Sequence, residues 1–286
     1  MSSQISTAFV NQYSANVTML SQQMGSLLRG AVDIESVNGE KAFFDQVGSA
    51  AAVLRTTRHA DTPLIDTPHS RRMVTMADYE YADLIDDQDK IRLLVDPTST
   101  YARAAASAMG RAIDDVIIAA AIGTAKTGKD GSTSTALPSS QKVAHGSANL
   151  TIAKLLSAKQ IMDESSVDPS IPRYLVCAPD QISALLGTTQ VTSSDFNTVR
   201  ALATGEVNSY LGFNFIVSNR LGTDSNSHRQ VFAFAGDGIK LAMGKEPSAR
   251  IDERSDKSYA TQVYYCMTLG ASRMEESKVV EIACSE

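Results

Sequence analysis

The stretch from Asp96 to Gly123 limits the choice of fold more than any other part of the chain. Asp96-Pro97-Thr98-Ser99 combines a proline with short polar side chains that can accept hydrogen bonds from the free amides of a first helical turn. From Thr100 the sequence is alanine-rich, and Tyr101, Ala105, Ala108, Met109, Ala112, Ile113, Val116, Ile117 and Ala120 form one broad stripe at helical spacing. Gly123 ends the run. Roughly 24 residues give a rod of about 36 Å. Small alanines along it let other backbones approach closely. Gly110 sits inside the rod and costs about 1 kcal/mol relative to alanine. A tight contact there is a better reason for the glycine than a bend.

The segment before the rod, residues 55–92, is dense in charge of both signs. Arg55, Arg58, Arg71, Arg72, Lys90 and Arg92 are interspersed with Asp61, Asp66, Asp78, Asp83, Asp86, Asp87 and Asp89. Pro63 and Pro68 exclude a continuous helix, and the β-favouring Val74, Thr75, Tyr79 and Tyr81 make Met73 to Tyr81 extended. The pattern predicts an extended hairpin projecting from the body, its charges placed to meet partners; a merely solvated hairpin is the alternative. Further upstream, Ile5, Phe9, Tyr13, Val17, Leu20, Met24 and Leu27 predict an amphipathic helix over 5–28. Asn38-Gly39, between strand-like runs 32–37 and 40–47, predicts a small hairpin.

Downstream of the rod, residues 124–149 are rich in Gly, Ser, Thr and Lys and are expected to form a flexible surface loop. A helix over 151–164, a buried strand over 173–179 and a helix capped by Asp180 follow. Strands are expected at 211–218, 231–235 and 239–243. Alternation at Tyr259, Thr261, Val263, Tyr265, Met267 and Leu269, and again at Val280, Ile282 and Cys284, predicts closing strands. The class is α+β with a mixed sheet. At 286 residues and 43% hydrophobic content the chain is long enough for a substantial core.

Chemistry-bearing motifs are weak. Gly123 to Lys129 approaches a phosphate-binding loop, but position 130 is Asp rather than Ser or Thr, and the stretch follows a helix instead of a strand. His59, His69, His145 and His228 lack metal-ligand spacing, and Asp86, Asp87 and Asp89 lack the glycine turn and distal Glu of a calcium loop. No catalytic residue, metal or cofactor is expected. Cys177, Cys266 and Cys284 each lie in an apolar run and read as core residues in a reducing compartment. The start lacks a signal peptide and no apolar run approaches the roughly 20 residues that span a membrane. Synthesis in a cytoplasm is therefore expected. The net charge of −6 excludes a broadly basic, nucleic-acid-binding surface.

Five stretches, in their order, carry a resemblance. They are Asp61-Thr-Pro63, Tyr101 to Arg111 with Asp114, Arg173 to Pro179, Leu211 to Leu221, and Leu269-Gly-Ala-Ser-Arg-Met-Glu-Glu276. Together they resemble the Hong Kong 97 fold of the major capsid proteins of tailed bacteriophages, over nearly the whole chain, and look most similar to those of short-tailed phages. The resemblance implies an N-arm over 1–54, an E-loop over 55–90, a P-domain with the spine helix over 91–173, an A-domain over 174–235 and P-domain return strands over 236–286.

It also implies self-assembly of identical subunits into hexamers and pentamers of an icosahedral head around double-stranded DNA, without sequence-specific DNA binding, inside a bacterial host. Implied partners are a separate scaffolding protein, since the arm starts near Met1, a portal protein and optionally a decoration protein. Contacts between copies are expected to pair Arg58, Arg71 and Arg72 with Asp86, Asp87 or Asp89 of a neighbour, because the arginine fork can hold a carboxylate through two bonds. An encapsulin-type compartment shell and an α+β enzyme with an unrecognised site are the alternatives.

Overall fold

A computed structural model describes residues 21–59, 61–62, 64–85, 98–187 and 209–286. Its centre is the predicted rod, helix α1 (Thr98–Ile122). Ala105, Met109, Ile113, Ile117 and Ala121 recur every four residues along it and are all buried. That single stripe lies on a four-stranded sheet and continues into the main core. Each fully buried isoleucine there contributes about 2 kcal/mol.

The four-stranded sheet is ordered β1-β12-β13-β4, from β1 (Asp33–Ser36), β4 (Ala77–Ile85), β12 (Ile239–Arg254) and β13 (Ala260–Arg273). On β13 the odd positions Thr261, Val263, Met267 and Leu269 are buried, as the alternation predicts. Between them the even positions Gln262, Tyr264 and Cys266 are partly exposed, with Asp252, Arg250 and Ser248 of β12 opposite them. Beyond Met243 the flanking β12 is polar and exposed, so the long hairpin of β12 and β13 extends well past the residues 239–243 that hydrophobicity alone marks.

A second, six-stranded sheet has the order β7-β14-β11-β8-β10-β9. Its strands are β7 (Lys142–Val143), β8 (Arg173–Cys177), β9 (Ser209–Tyr210), β10 (Phe213–Val217), β11 (Arg229–Ala235) and β14 (Val279–Cys284). Helix α2 (Ile152–Glu164) packs on β14, with Thr151 as its N-cap. Helix α3 (Pro179–Leu186) follows β8; Gln181 rather than Asp180 closes its start, its side chain accepting from the Ala178 amide (3.1 Å). The chain's last strand, β14, lies antiparallel beside β11.

A third sheet, β2-β3-β5-β6, joins β2 (Lys41–Val47), β3 (His69–Thr75), β5 (Ala125–Thr127) and β6 (Thr133–Thr135). Three expectations change here. The strands flanking Asn38-Gly39 do not pair with each other: β1 runs parallel to β12 and β2 antiparallel to β3, so the turn passes the chain between sheets. Residues 124–149 are not a free loop, because β5 and β6 form a hairpin that extends the β2–β3 pair. The charged segment 55–90 is also divided. Its middle, β3, belongs to this sheet, and β4 is an edge of the long one. What projects is the segment between β2 and β3, closed at its neck by the Gly48 amide donating to the Pro68 carbonyl (2.7 Å).

The amphipathic helix expected over 5–28 falls largely outside the described residues. Its described part, 21–28, is an irregular strap. Gly25 has φ +80° and the strap's amides are taken by a side chain of α1 rather than by helical carbonyls.

Candidate assembly surfaces

Between Gly48 and Pro68 the described side chains are nearly all exposed. Leu64 is 99% exposed, Leu54 84% and Val53 61%. A soluble surface scatters single apolar residues, but several on one extended loop mark a contact surface. Arg58 lies in this loop, exposed and without an ion pair to any described residue. Arg71 stands at the loop's root on β3. Its Nε and Nη2 donate to the two carboxylate oxygens of Asp45 across the β2–β3 pair (2.5 and 3.0 Å), and its guanidinium lies over the Phe43 ring. The pairing holds Asp45 below the usual carboxylate range. Both partners are exposed, so solvent and salt screen the pair and it adds little to stability.

Arg72 points the opposite way and is buried. Its Nε donates to the Met274 carbonyl (2.7 Å) and its Nη2 to Glu276 (2.6 Å). The structure thus gives Arg72 an in-chain role, and its strand parity, one residue from the outward Arg71, is the reason. Asp86, Asp87 and Asp89 lie outside the described residues.

Two buried constellations hold the loop's root and the strap to the rod. At the rod's C-terminal end Arg273, fully buried, donates from Nη1 to the carbonyls of Ala121 (2.9 Å) and Gly123 (2.8 Å), and from Nη2 to that of Thr135 (3.2 Å). The cation caps carbonyls that the helix leaves unpaired, at the negative end of its dipole. Burial lowers the Arg273 pKa, while Glu276, 3.6 Å from its Nε, works in the other direction. Glu276 therefore stands between Arg72 and Arg273, and one carboxylate links β3 to β13 and, through Arg273, to α1 and the β5–β6 hairpin.

Midway along the rod, buried Asp114 accepts from Gln23 Nε2 (2.5 Å), Ser26 Oγ (2.5 Å) and the amides of Leu27 and Leu28 (both 3.1 Å). Arg111 adds donors to Gln22 Oε1 (2.9 Å) and the Gln23 carbonyl (3.1 Å). A Cβ on Gly110 would stand 2.4 Å from the Gly25 carbonyl carbon, so only glycine lets the strap cross there. The contact expected at Gly110 is present and the helix is unbroken.

The stretches around Arg111 and Arg273 carry only slight signals of these roles in the sequence. A lone acidic residue on the apolar side of a helix, and an arginine ending an alternating buried strand, were the available signals. Cys266 is a correction. Cys177 and Cys284 are core residues, but Cys266 occupies an even, outward position of β13. Among the described residues no group of three potential ligands gathers as a metal site, and no helix is long and apolar enough to cross a membrane.

Solved capsid structures share this arrangement from end to end. The capsid structure of cyanophage P-SCSP1u matches with a TM-score of 0.77 at 17% identity, over 100% of this chain and 96% of that one. The capsid of Ralstonia phage GP4 gives 0.74 at 11% identity, over 96% and 95%. The capsid of a native GTA particle gives 0.73 at 12% identity, over the full length of both. The fold is of the Hong Kong 97 capsid type. No curated protein matches the sequence. The phage capsid protein family model matches residues 5–286, and the chain belongs to that family. It is a major capsid protein, a structural component of a phage virion, and the encapsulin and enzyme alternatives are not favoured.

Proposed function

We propose that copies of this chain join as hexamers and pentamers into an icosahedral head around double-stranded DNA, and that the loop between Gly48 and Pro68 is the main connector between neighbours. The observation that carries this reading is the loop itself: Val53, Leu54 and Leu64 are presented to solvent on a segment that the described residues of its own chain do not cover. A loop of this kind gains burial only against another molecule, and in a shell of like subunits that molecule is another copy. Many modest contacts per copy favour a closed shell while allowing misplaced subunits to leave during growth.

In this reading the N-arm assigned to 1–54 runs into the connector loop from Gly48 on, and the E-loop assigned to 55–90 works through its exposed half. The six-stranded sheet serves as the A-domain, with the rod and long hairpin as the P-domain. Arg58 is open to carboxylates of a neighbour and Arg71 becomes so by giving up Asp45, with Asp86, Asp87 and Asp89 as their partners; buried Arg72 is withdrawn from that role by its bonds to Met274 and Glu276. The role is structural, without catalysis or cofactor. Scaffolding, portal and decoration proteins are further partners, and assembly takes place in the bacterial cytoplasm.

The double variant Leu54→Asp, Leu64→Asp tests the loop. Both sites are exposed, so stability should stay within about 0.5 kcal/mol of the parent. Circular dichroism should be unchanged, while electron microscopy under assembly conditions should show no shells. Normal shells from this variant would refute the loop as connector. Arg58→Glu with Arg71→Glu, assayed alongside it, tests the charged contacts separately.

A further inference from the structure

Regular alternation would put Lys245 and Ser248 on opposite faces of β12, since they are an odd number of residues apart. The pairing with β13 breaks register twice here, between Met243 and Lys245 and between Lys245 and Ser248. Bulges of this kind re-aim side chains. Both residues consequently converge on one atom of the neighbouring strand. The Lys245 Nζ donates to Cys266 Sγ (2.9 Å), and the Ser248 hydroxyl lies 3.3 Å from the same sulfur. Lys245 is exposed and Cys266 is open to solvent in part. Glu80, opposite Cys266 on β4, is engaged by the Tyr264 hydroxyl (2.9 Å).

We propose that Lys245 and Cys266 form an oxidation-closed covalent staple across β12 and β13, in which hydrogen peroxide converts the thiolate to a sulfenic acid that condenses with the lysine amine to a sulfenamide. In the first step the sulfur attacks the peroxide O–O bond. The sulfur gains one oxygen and is oxidised, the other oxygen leaves as hydroxide, and the Lys245 ammonium protonates it to water. The amine is thereby left neutral beside the sulfenic acid. In the second step the nitrogen lone pair attacks sulfur, the S–O bond breaks, and a second water leaves with a proton from the amine. The sum is one thiolate, one ammonium and one peroxide giving one S–N bond and two waters. Condensation of a sulfenic acid with a nearby nitrogen is established thiol chemistry.

The contrast with the other two cysteines supplies an internal control. Burial pushes the Cys177 thiol up to about 12 and Cys284 up to about 11. The Lys245 ammonium, followed by the Ser248 hydroxyl, holds the Cys266 thiol below its ordinary value. Only the thiolate is nucleophilic, so peroxide should select Cys266.

The experiment is brief peroxide treatment of the full-length folded protein, quenching with an alkylating reagent, proteolysis and mass spectrometry. The expected product links the peptides carrying Lys245 and Cys266, weighs two hydrogens less than their sum, and disappears on thiol reduction, with Cys177 and Cys284 unoxidised. Lys245→Arg keeps the charge but lacks a comparable amine; it should lose the linked product entirely and carry sulfinic acid at Cys266 instead. Cys266→Ser should give no link. If the parent protein accumulates sulfinic acid at Cys266 with Lys245 unlinked, or if all three cysteines oxidise at the same rate in the folded protein, the proposal is overturned.

Discussion

Asp114 shows how much one side chain can organise. It takes four donors from a strap nearly ninety positions away in sequence, two of them backbone amides that would otherwise be left without a partner. Replacing it by alanine removes every acceptor at once. At about 1–3 kcal/mol for each buried donor left unpaired, the loss should be on the order of 3 kcal/mol after the strap relaxes. Chemical denaturation would measure this, and limited proteolysis should find new cleavage near residues 22–28. Arg273 is the second such residue. Arg273→Met fills similar volume but leaves the carbonyls of Ala121 and Gly123 uncapped and Glu276 with a single cation, an expected cost of about 3–5 kcal/mol in the same measurement. Neither residue's role was legible in the sequence, because neither an acceptor on a helix nor a donor at the end of a strand announces which distant segment will supply its partner. Gly110 was legible as a contact, since a glycine inside a strong helix former needs a reason.

Elements were readable to the degree that burial was one-sided. The rod's i, i+4 stripe and the odd-numbered face of β13 follow directly from alternation, and both are found where the sequence places them. The distal half of β12 was not readable, because its residues are polar on both sides and its strand character comes from pairing with β13. The same lack of signal hid the β5–β6 hairpin in a Gly- and Thr-rich stretch. Partner choice was a separate difficulty: Asn38-Gly39 announces a turn but cannot say that the two strands leave for different sheets. Where sheets meet, a glycine decides the geometry. A Cβ on Gly270 would stand 2.4 Å from the Thr75 carbonyl oxygen of β3. Gly270→Ala should therefore separate β3 from β13, lowering stability by roughly 1–3 kcal/mol and accelerating amide exchange in residues 69–75.

For the whole molecule, acid is the simplest global probe. The Arg71 fork holds Asp45 below the usual carboxylate range, backbone and side-chain bonds from His228 do so for Asp224, and Arg229 with Gln181 does so for Glu286. A carboxylate whose folded pKa lies below its unfolded value stabilises above the unfolded value and loses that contribution as pH falls through the folded one. Thermal stability should be level from neutral pH to about 5 and decline below about 4. Glu286→Gln should make that decline shallower. The overall plan was legible because the order of rod, charged segment and closing strands spans the chain, whereas the outward-facing half of the plan depends on copies that a single chain does not contain. Arg273 has one more consequence. Through it and Glu276 the root of the projecting loop is bolted to the last turn of the rod, so loop and rod behave as the two arms of a single bell crank. A tug delivered at the tip should therefore reach the rod as torque, through Glu276 and Arg273, instead of being spent in a hinge at the root.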